Sequence, residues 1–453
     1  MQRGRLVRQR PRVLIIVQNL PVPFDRRVWL ECQTLRDAGY DVTVVCPRGK
    51  DTGAYQVVDG VTIHAYRPYA PGGSAMGFVI EYAYSFLATA RLALKARRHG
   101  RFDVVQACNP PDIFWPLAMW LRSRDGSRFV FDHHDLCPEL FESRFPDGSR
   151  MALRGLKLLE RATFRTADRV TSTNDSYRAV AMRRGGKAPA HVTVVRTGPD
   201  PDVMRRGAPV PSERRGRAHL AAYLGVMGPQ DGVDVVLAAA DHIVHTLGRT
   251  DIAFTLMGGG DCHDKLLAER DRLGLQEYVE LPGRVPDSYV VDVLSTADVG
   301  LCPDPLNPLN DVSTMNKTME YMAFGLPVVA FDLHETRVSA GDAAVYAEPS
   351  SGSQGFAAAL LDLLDHPDSR AVMGLLGRQR VETTLAWHHQ APTYLAVYDD
   401  LTGRVRTPVP VEAEVGEPVL HLVDGVVTRP AEHAPGRVGK HVAGLAPERA
   451  DAS

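Results

Sequence analysis

Short β-branched runs alternate with helical stretches along almost the whole chain, and the alternation stops and restarts once. Val13–Val17, Val42–Cys46, Val61–His64, Val104–Gln106, Phe129–Phe131, Val170–Ser172 and Val192–Val195 read as strands of a first half. Helices are expected between them: from the natural N-cap Asp25 to Gly39, over Met76–Arg98, around Phe114–Leu121 and over Met151–Thr166. Runs this apolar suit strands covered on both faces, hence a mostly parallel sheet. Gly198–Arg217 is rich in Pro and Arg, has no steady period and reads as a linker. Ala221–Leu224, Ala253–Met257, Val279–Leu281, Val299–Leu301, Val328–Phe331 and Ala344–Tyr346 then build a second half. The expected architecture is α/β, two facing Rossmann-like doubly wound domains with a cleft at the carboxyl ends of their strands. The domains span 12–198 and 219–390, joined by a linker over 199–218. A C-terminal helix over 391–403 is free to pack back on the first domain, with Pro392 in its first turn, where a missing amide costs little. Residues 404–453 are expected to form a poorly ordered tail, with Val419–Val427 suited to local pairing.

The bulk numbers narrow the field. At 453 residues the chain is long enough for two domains, and 44% hydrophobic with 23% charged residues is ordinary for a molecule with a real core. A formal net charge of -2 offers no global field for nucleic acid, so no nucleic-acid partner is expected. Six scattered cysteines without a CxxC pair argue against a zinc site and against a disulfide framework, and for a reducing, cytoplasmic setting. The apolar run behind the basic N-terminus is a strand in length, not a signal peptide.

Asp311–Asp332 is the most informative segment. A polar loop opens a short helix; Gly325 ends it and Pro327 prevents its resumption. Asn316, Lys317 and Glu320 fall three and four residues apart, on one helical stripe. Free amides at Ser313 and Thr314, the Lys317 ammonium and the Glu320 carboxylate suit a nucleoside diphosphate: amides and ammonium for phosphates, carboxylate for ribose hydroxyls. A solvated Lys317–Glu320 pair is the plainer alternative.

Five landmarks in order then carry a resemblance: Leu224-Gly-Val-Met-Gly-Pro-Gln-Asp-Gly-Val-Asp234, Met257-Gly-Gly-Gly-Asp261, Leu281-Pro-Gly-Arg-Val-Pro286, Ala297-Asp-Val-Gly300, and Asn316 through Val329. From Arg12 to Gly403 the chain resembles the GT-B glycosyltransferases of family 4, in a variant of the bacterial polysaccharide type. The resemblance implies a retaining transferase that moves a sugar from a nucleotide-sugar donor to a hydroxyl, with no metal and no other cofactor. Glu320 matches the family's ribose-holding glutamate. The earlier glutamate of that signature falls on Val312, with Asp311 one residue early. The family's diphosphate-gripping Arg and Lys fall on Val226 and Asp231, so the missing charge must come from Lys317, the Ser313 and Thr314 amides, or Arg26, Arg27 or Arg284. Gly228 and Gly259 sit in the implied donor-binding turns.

In the first half, Phe131-Asp-His-His-Asp-Leu-Cys-Pro-Glu139 follows a strand and faces the cleft. Similar enzymes place a histidine there; His134 is favoured, His133 next, and His134 and Lys317 form the candidate catalytic pair. Asp135 and Glu139 either orient the histidine and bind acceptor or cap a helix start. Arg26 and Arg27 either meet phosphate or pair with Asp25 and Glu31. Asn109, before two prolines, borders an acceptor site or fixes a turn. Met76–Ala90 is nearly all apolar and is followed by Arg91, Lys95, Arg97 and Arg98. Such a stretch over 76–98 suits an interfacial helix at the inner membrane face, near a sugar or lipid-linked sugar acceptor; a helix buried against the sheet has the same composition. Two other functions use the same fold: a nucleotide-sugar epimerase and a noncatalytic nucleotide-sugar-binding module. Under the transferase reading, Lys317→Ala is expected to slow transfer more than it harms folding.

Overall fold

The alternation resolves into two separate sheets. The computed structural model describes residues 10–50, 52–69, 75–145, 147–405, 421–423 and 426–428. The first sheet holds β1 (Arg12–Ile16), β2 (Asp41–Pro47), β3 (Tyr55–Val58), β4 (Val61–Tyr66), β5 (Val104–Cys108), β6 (Arg128–His133), β7 (Arg169–Ser172) and β8 (Val192–Val194). Their order is β3-β4-β2-β1-β5-β6-β7-β8, parallel except for the antiparallel edge pair β3–β4. The second sheet holds β9 (His219–Leu224), β10 (Ile252–Met257), β11 (Val279–Gly283), β12 (Val299–Cys302), β13 (Val328–Phe331) and β14 (Ala344–Ala347), all parallel, in the order β11-β10-β9-β12-β13-β14.

Both faces of both sheets are covered, which is why the central strands carry few polar residues. On one face of the first sheet, helices Ala75–Arg97, Trp115–Asp125 and Arg150–Thr166 pack over Leu14, Ile16, Phe129 and Phe131. On the other, helices Arg26–Asp37 and Trp387–Thr402 pack over Val13, Ile15 and Val17. In each sheet the first strand lies inside, and the chain winds outward to one side and then to the other. The order reverses at β1/β5 and at β9/β12, and at such points the loops part to leave a crevice.

Several elements were not individually foreseen, the helices Asp175–Arg183, His263–Arg272 and Asp287–Thr296 among them. Strand β3 is an edge strand whose residues alternate between exposed and half-buried, so it has no apolar run to betray it. Helices Cys137–Arg144 and Pro367–Arg380 each bury only two residues and carry little amphipathic pattern. The C-terminal helix begins at Trp387, four residues before the expected Ala391, because Trp387 anchors it: the indole is buried and its Nε1 donates to Thr34 Oγ1 at 2.8 Å. Pro392 is therefore interior rather than in the first turn, where it removes one i→i−4 hydrogen bond.

The chain passes between the halves twice, and the two passages touch. The Trp387 amide donates to Pro199 O at 3.1 Å. A Cβ on Gly198 would stand 1.8 Å from Leu385 O, so only glycine fits there. Residues 407–453 form a separate unit. Most of the expected tail lies outside the described residues; within it His421–Val423 pairs antiparallel with Val426–Thr428. Among the described residues no helix is long and apolar enough to cross a membrane.

Candidate active site

A cleft of about 340 Å³ opens where the carboxyl ends of both sheets meet. Its walls are the loops just past those ends: Asn19 after β1, His134 after β6 and Thr173 after β7 face Gln230 after β9, Asp304 after β12 and Thr314 before β13.

On the first-domain side the strand register separates the two histidines. His133 is the last residue of β6 and points into the core, packed against Phe131, Phe164 and Tyr177, with both ring nitrogens buried. Burial, helped by the nearby Arg184 and His134, pushes its pKa down to about 3, so it stays neutral. His134, one residue later, lines the cleft. Its Nδ1 meets Asp132 Oδ2 at 3.0 Å, which leaves Nε2 for the cleft. Asp132 is fully buried and also takes Arg27 Nη2 at 2.7 Å, Arg27 Nε at 3.1 Å and Thr171 Oγ1 at 2.8 Å. Burial works against charge on Asp132, but Arg27 and His134 outweigh it and hold the carboxyl far below the usual carboxylate range. Burial likewise opposes a charged His134, and the Asp132 carboxylate overcomes it, so the imidazole sits above its ordinary value.

Arg27 is thus not a surface arginine, and although it lines the cleft its guanidinium is committed to carboxylates. It is buried, pairs with Glu31 at 3.2 Å as well as with Asp132, and donates to Val195 O and Thr197 Oγ1. Asn109 shapes the histidine loop: its Oδ1 accepts from the amides of His134 (2.9 Å) and Asp135 (3.0 Å), and its Nδ2 donates to Asp135 O. Asp135 lines the cleft and accepts from the Leu136 amide. Glu139 is turned away into an ion pair with Arg184 at 2.5 Å.

On the second-domain side the main departure is Lys317. It is buried, and its Nζ donates to both oxygens of Asp304, at 2.8 and 3.0 Å, with Asp231 at 3.9 Å and the Tyr223 ring at 5.1 Å. This ammonium is neutralised beneath the cleft rather than offered to a phosphate. Asp231, at the position read as cationic in the family, is pushed up to about 6, chiefly by burial and despite Lys317. Asp304 had no visible sequence signal beyond its place just after β12.

The helix Asn316–Ala323 starts with no side-chain cap, and the cleft reaches Thr314, Met315 and Asn316 at that start. The Ser313 amide is already spent on Asn310 O. The side chains of this loop are stapled to the first domain: Asn174 Nδ2 donates to Val312 O and Thr314 Oγ1, both at 2.9 Å, and Tyr177 OH meets Ser313 Oγ at 2.8 Å. Neither Asn174 nor Tyr177 was legible as a site residue, because their partners lie 136 or more residues away.

Other expected residues sit around this centre rather than in it. Glu320 does not line the cleft; its Oε1 accepts from Arg26 Nη1 at 2.9 Å across the domains, and Arg26 also reaches Asp287 at 3.2 Å. Asp311 accepts from the His334 amide at 2.9 Å. Arg284 stacks on Phe24 of the first domain at 4.6 Å. The Gly228 amide donates to Asp231 Oδ2 at 2.9 Å. In the glycine turn, Gly258 has φ 138° and lies hard against Gly225 O, whereas Gly259 has open space around it.

Two doubly wound domains facing across such a cleft define the GT-B class. The "Glycosyltransferase Family 4" profile matches residues 25–203, and the "Glycosyl transferases group 1" profile matches residues 218–366. The two profiles together place the chain in the family 4 type of GT-B glycosyltransferases. D-inositol 3-phosphate glycosyltransferase of Kineococcus radiotolerans is 26% identical over 263 residues, 53% of this chain and 58% of that protein, so the chain spans less than two thirds of that relative's length. Sucrose-phosphate synthase from Thermosynechococcus elongatus superposes with a TM-score of 0.70 at 16% identity, over 87% of this chain and 100% of that one. Anabaena HepE in complex with UDP-glucose superposes with a TM-score of 0.62 at 13% identity, over 86% and 99%. At these identities the two structures establish the fold.

Proposed function

We propose that the chain transfers a sugar from a nucleoside-diphosphate donor to a hydroxyl acceptor with retained configuration. One observation carries this reading: His134 from one domain and the uncapped helix start at Thr314–Asn316 from the other line the same cleft. The bond from the sugar's anomeric carbon to the diphosphate oxygen breaks, the acceptor oxygen bonds to that carbon on the same face, and the acceptor proton passes to the departing phosphate. Amides at the helix start stabilise the charge that gathers on the leaving diphosphate, and His134 Nε2 hydrogen-bonds at the reacting end. Of the functions open at the level of sequence, transfer is the one that the family matches support. The UDP-glucose in the HepE complex supports a nucleotide-sugar donor.

Transfer proceeds without a metal in this reading. Among the described residues the one cluster of three ligand-type side chains, Glu31, Cys108 and Asp132, is already engaged through its carboxylates by the Arg27 guanidinium. Turnover is therefore expected to survive a chelator.

Glu320 holds the donor ribose once the hydroxyls displace Arg26. Calorimetric titration with UDP and GDP tests the reading. One of them binds the native chain, and Glu320→Ala weakens it about 10- to 100-fold, the loss of about 1.5–3 kcal/mol of charge-assisted hydrogen bonding. Unchanged affinity would remove Glu320 from the site, and no binding of either nucleotide would remove the donor.

The acceptor is a sugar or lipid-linked sugar met at the cytoplasmic face of a membrane, in surface polysaccharide or glycolipid synthesis. Helix Ala75–Arg97 exposes Val79, Ile80, Tyr84, Leu87 and Leu94, followed by exposed Arg91, Lys95 and Arg98. Its one acid, Glu81, accepts from Gln18 at 2.9 Å. On the same face of the sheet, helix Arg150–Thr166 exposes Arg150, Arg154, Lys157, Arg161 and Arg165, while its one acid, Glu160, is buried. Cations beside exposed apolar side chains suit an anionic lipid surface. Vesicles with anionic lipid are expected to sediment the protein, neutral vesicles much less, and Leu87→Asp to abolish the difference; equal binding to both would end the proposal.

A further inference from the structure

The cleft holds a charge imbalance that a buried chain of side chains resolves. Behind His134, two fully buried carboxylates, Asp132 and Glu31, share a single guanidinium, Arg27. Unbalanced buried charge is costly, so one proton is held within the group, on Glu31 or on His134. Burial pushes the Glu31 carboxyl up, and Asp132 draws His134 up, so the two compete for it.

The C-terminal helix decides between them. Tyr394 OH donates to Gln106 Oε1 at 2.8 Å, Tyr398 OH donates to the same oxygen, and the two hydroxyls meet at 2.9 Å. With its carbonyl fixed by two phenols, the Gln106 amide presents Nε2 to Glu31, donating to Oε2 at 2.6 Å. Arg27 Nε stands 3.2 Å from Glu31 Oε1. Gln106 thus donates to Oε2, and the Arg27 guanidinium stands beside Oε1 without hydrogen-bonding it; a donor on one oxygen and a cation beside the other favour the ionised form, which leaves the proton to the imidazole.

The opposite wall gives that proton a use. The second-domain residues lining the cleft include Asp231 and Asp304 and no cation, and Lys317 beneath them is clamped by Asp304. On the first-domain wall, Arg27 is consumed by its carboxylates, and the charged groups facing His134 besides Arg27 are the acids Asp25, Asp132 and Asp135; His133 behind it is neutral. His134 Nε2–H is then the cationic donor that the cleft wall can offer to a diphosphate.

We propose that the C-terminal helix, acting through Gln106 and Glu31, holds His134 as an imidazolium, and that this cation takes up charge on the leaving diphosphate. The second half rests on the donor reading above. Glu31, Gln106, Tyr394 and Tyr398 are positioning residues; His134 is the group that touches substrate.

Histidine-labelled protein, with His134→Gln to assign the resonance, reads the protonation directly. In the native chain His134 is expected to keep its proton above the ordinary imidazole value. In Glu31→Gln, where Arg27 and Asp132 balance alone, its titration is expected to move down. Tyr398→Phe, a milder change, is expected to move it the same way by less. Affinity for UDP and GDP is followed across pH in parallel. Because the charged form binds, affinity is expected to be strong below the His134 pKa and to fall as pH rises through it. In Glu31→Gln the fall comes at lower pH, with about tenfold weaker binding at neutral pH. A native His134 that titrates at or below the ordinary value, or an unmoved titration in both variants, overturns the proposal. Nucleotide affinity flat with pH overturns its second half alone. A raised His134 in a chain that binds neither nucleotide instead counts against the donor.

Discussion

Lys317→Ala is expected to destabilise the fold by about 3–5 kcal/mol, measured by urea denaturation at neutral pH. Asp304 is 1% exposed, and both of its oxygens rest on this ammonium. Removing one partner of a buried pair leaves the other as uncompensated charge, here with Asp231 close by, and a cavity besides. Against a total stability of about 5–15 kcal/mol, such a loss is severe. This reverses the expectation, drawn from the transferase reading of the sequence, that the substitution would slow transfer more than it harms folding. The double change Lys317→Met with Asp304→Leu removes both charges and is expected to recover much of the loss. A Lys317→Ala protein of native stability would show that the clamp does not carry the local structure.

His134→Ala is expected to lower kcat/KM by about 10²- to 10³-fold at a cost in stability much smaller than that of Lys317→Ala, since the ring lines the cleft and Glu31 can take up the proton that balances Asp132. The two effects are thus opposite in kind: one side chain mainly holds the fold and the other mainly serves the reaction. Activity within threefold of native would remove His134 from the chemistry.

The pattern of strands was legible because fully covered parallel strands leave long apolar runs, as in Val13–Val17 and Ala253–Met257. The Asp25 cap was legible too, since its acceptance from the Val28 amide is a local contact. His134 was favoured over His133 on the resemblance; the physical reason lies in the structure, where strand residues alternate in direction and a residue just past the strand end is free to face the crevice. What sequence could not supply was the identity of long-range partners. Lys317 and Glu320 share a helical stripe, yet one turns inward to Asp304 and the other reaches Arg26, 294 residues away. Arg26 and Arg27 look alike as neighbours, but one spans the domains and the other lies buried among carboxylates. The edge strand β3 and the helix Pro367–Arg380 were missed because half-exposed elements lack the apolar signature that betrays buried ones.

The contact between Gly198 and the segment Leu385–Trp387 has a mechanical consequence. Two separate passages, well apart, would restrict swinging to a single axis. Here both run through one spot, so any relative tilt of the lobes pivots there once the ties from Asn174, Tyr177 and Arg26 to the second domain release. The His134 network travels wholly with one lobe, since the terminal helix that supports it is carried along on that side. Opening and shutting the crevice therefore changes what faces the imidazole without disturbing what stands behind it.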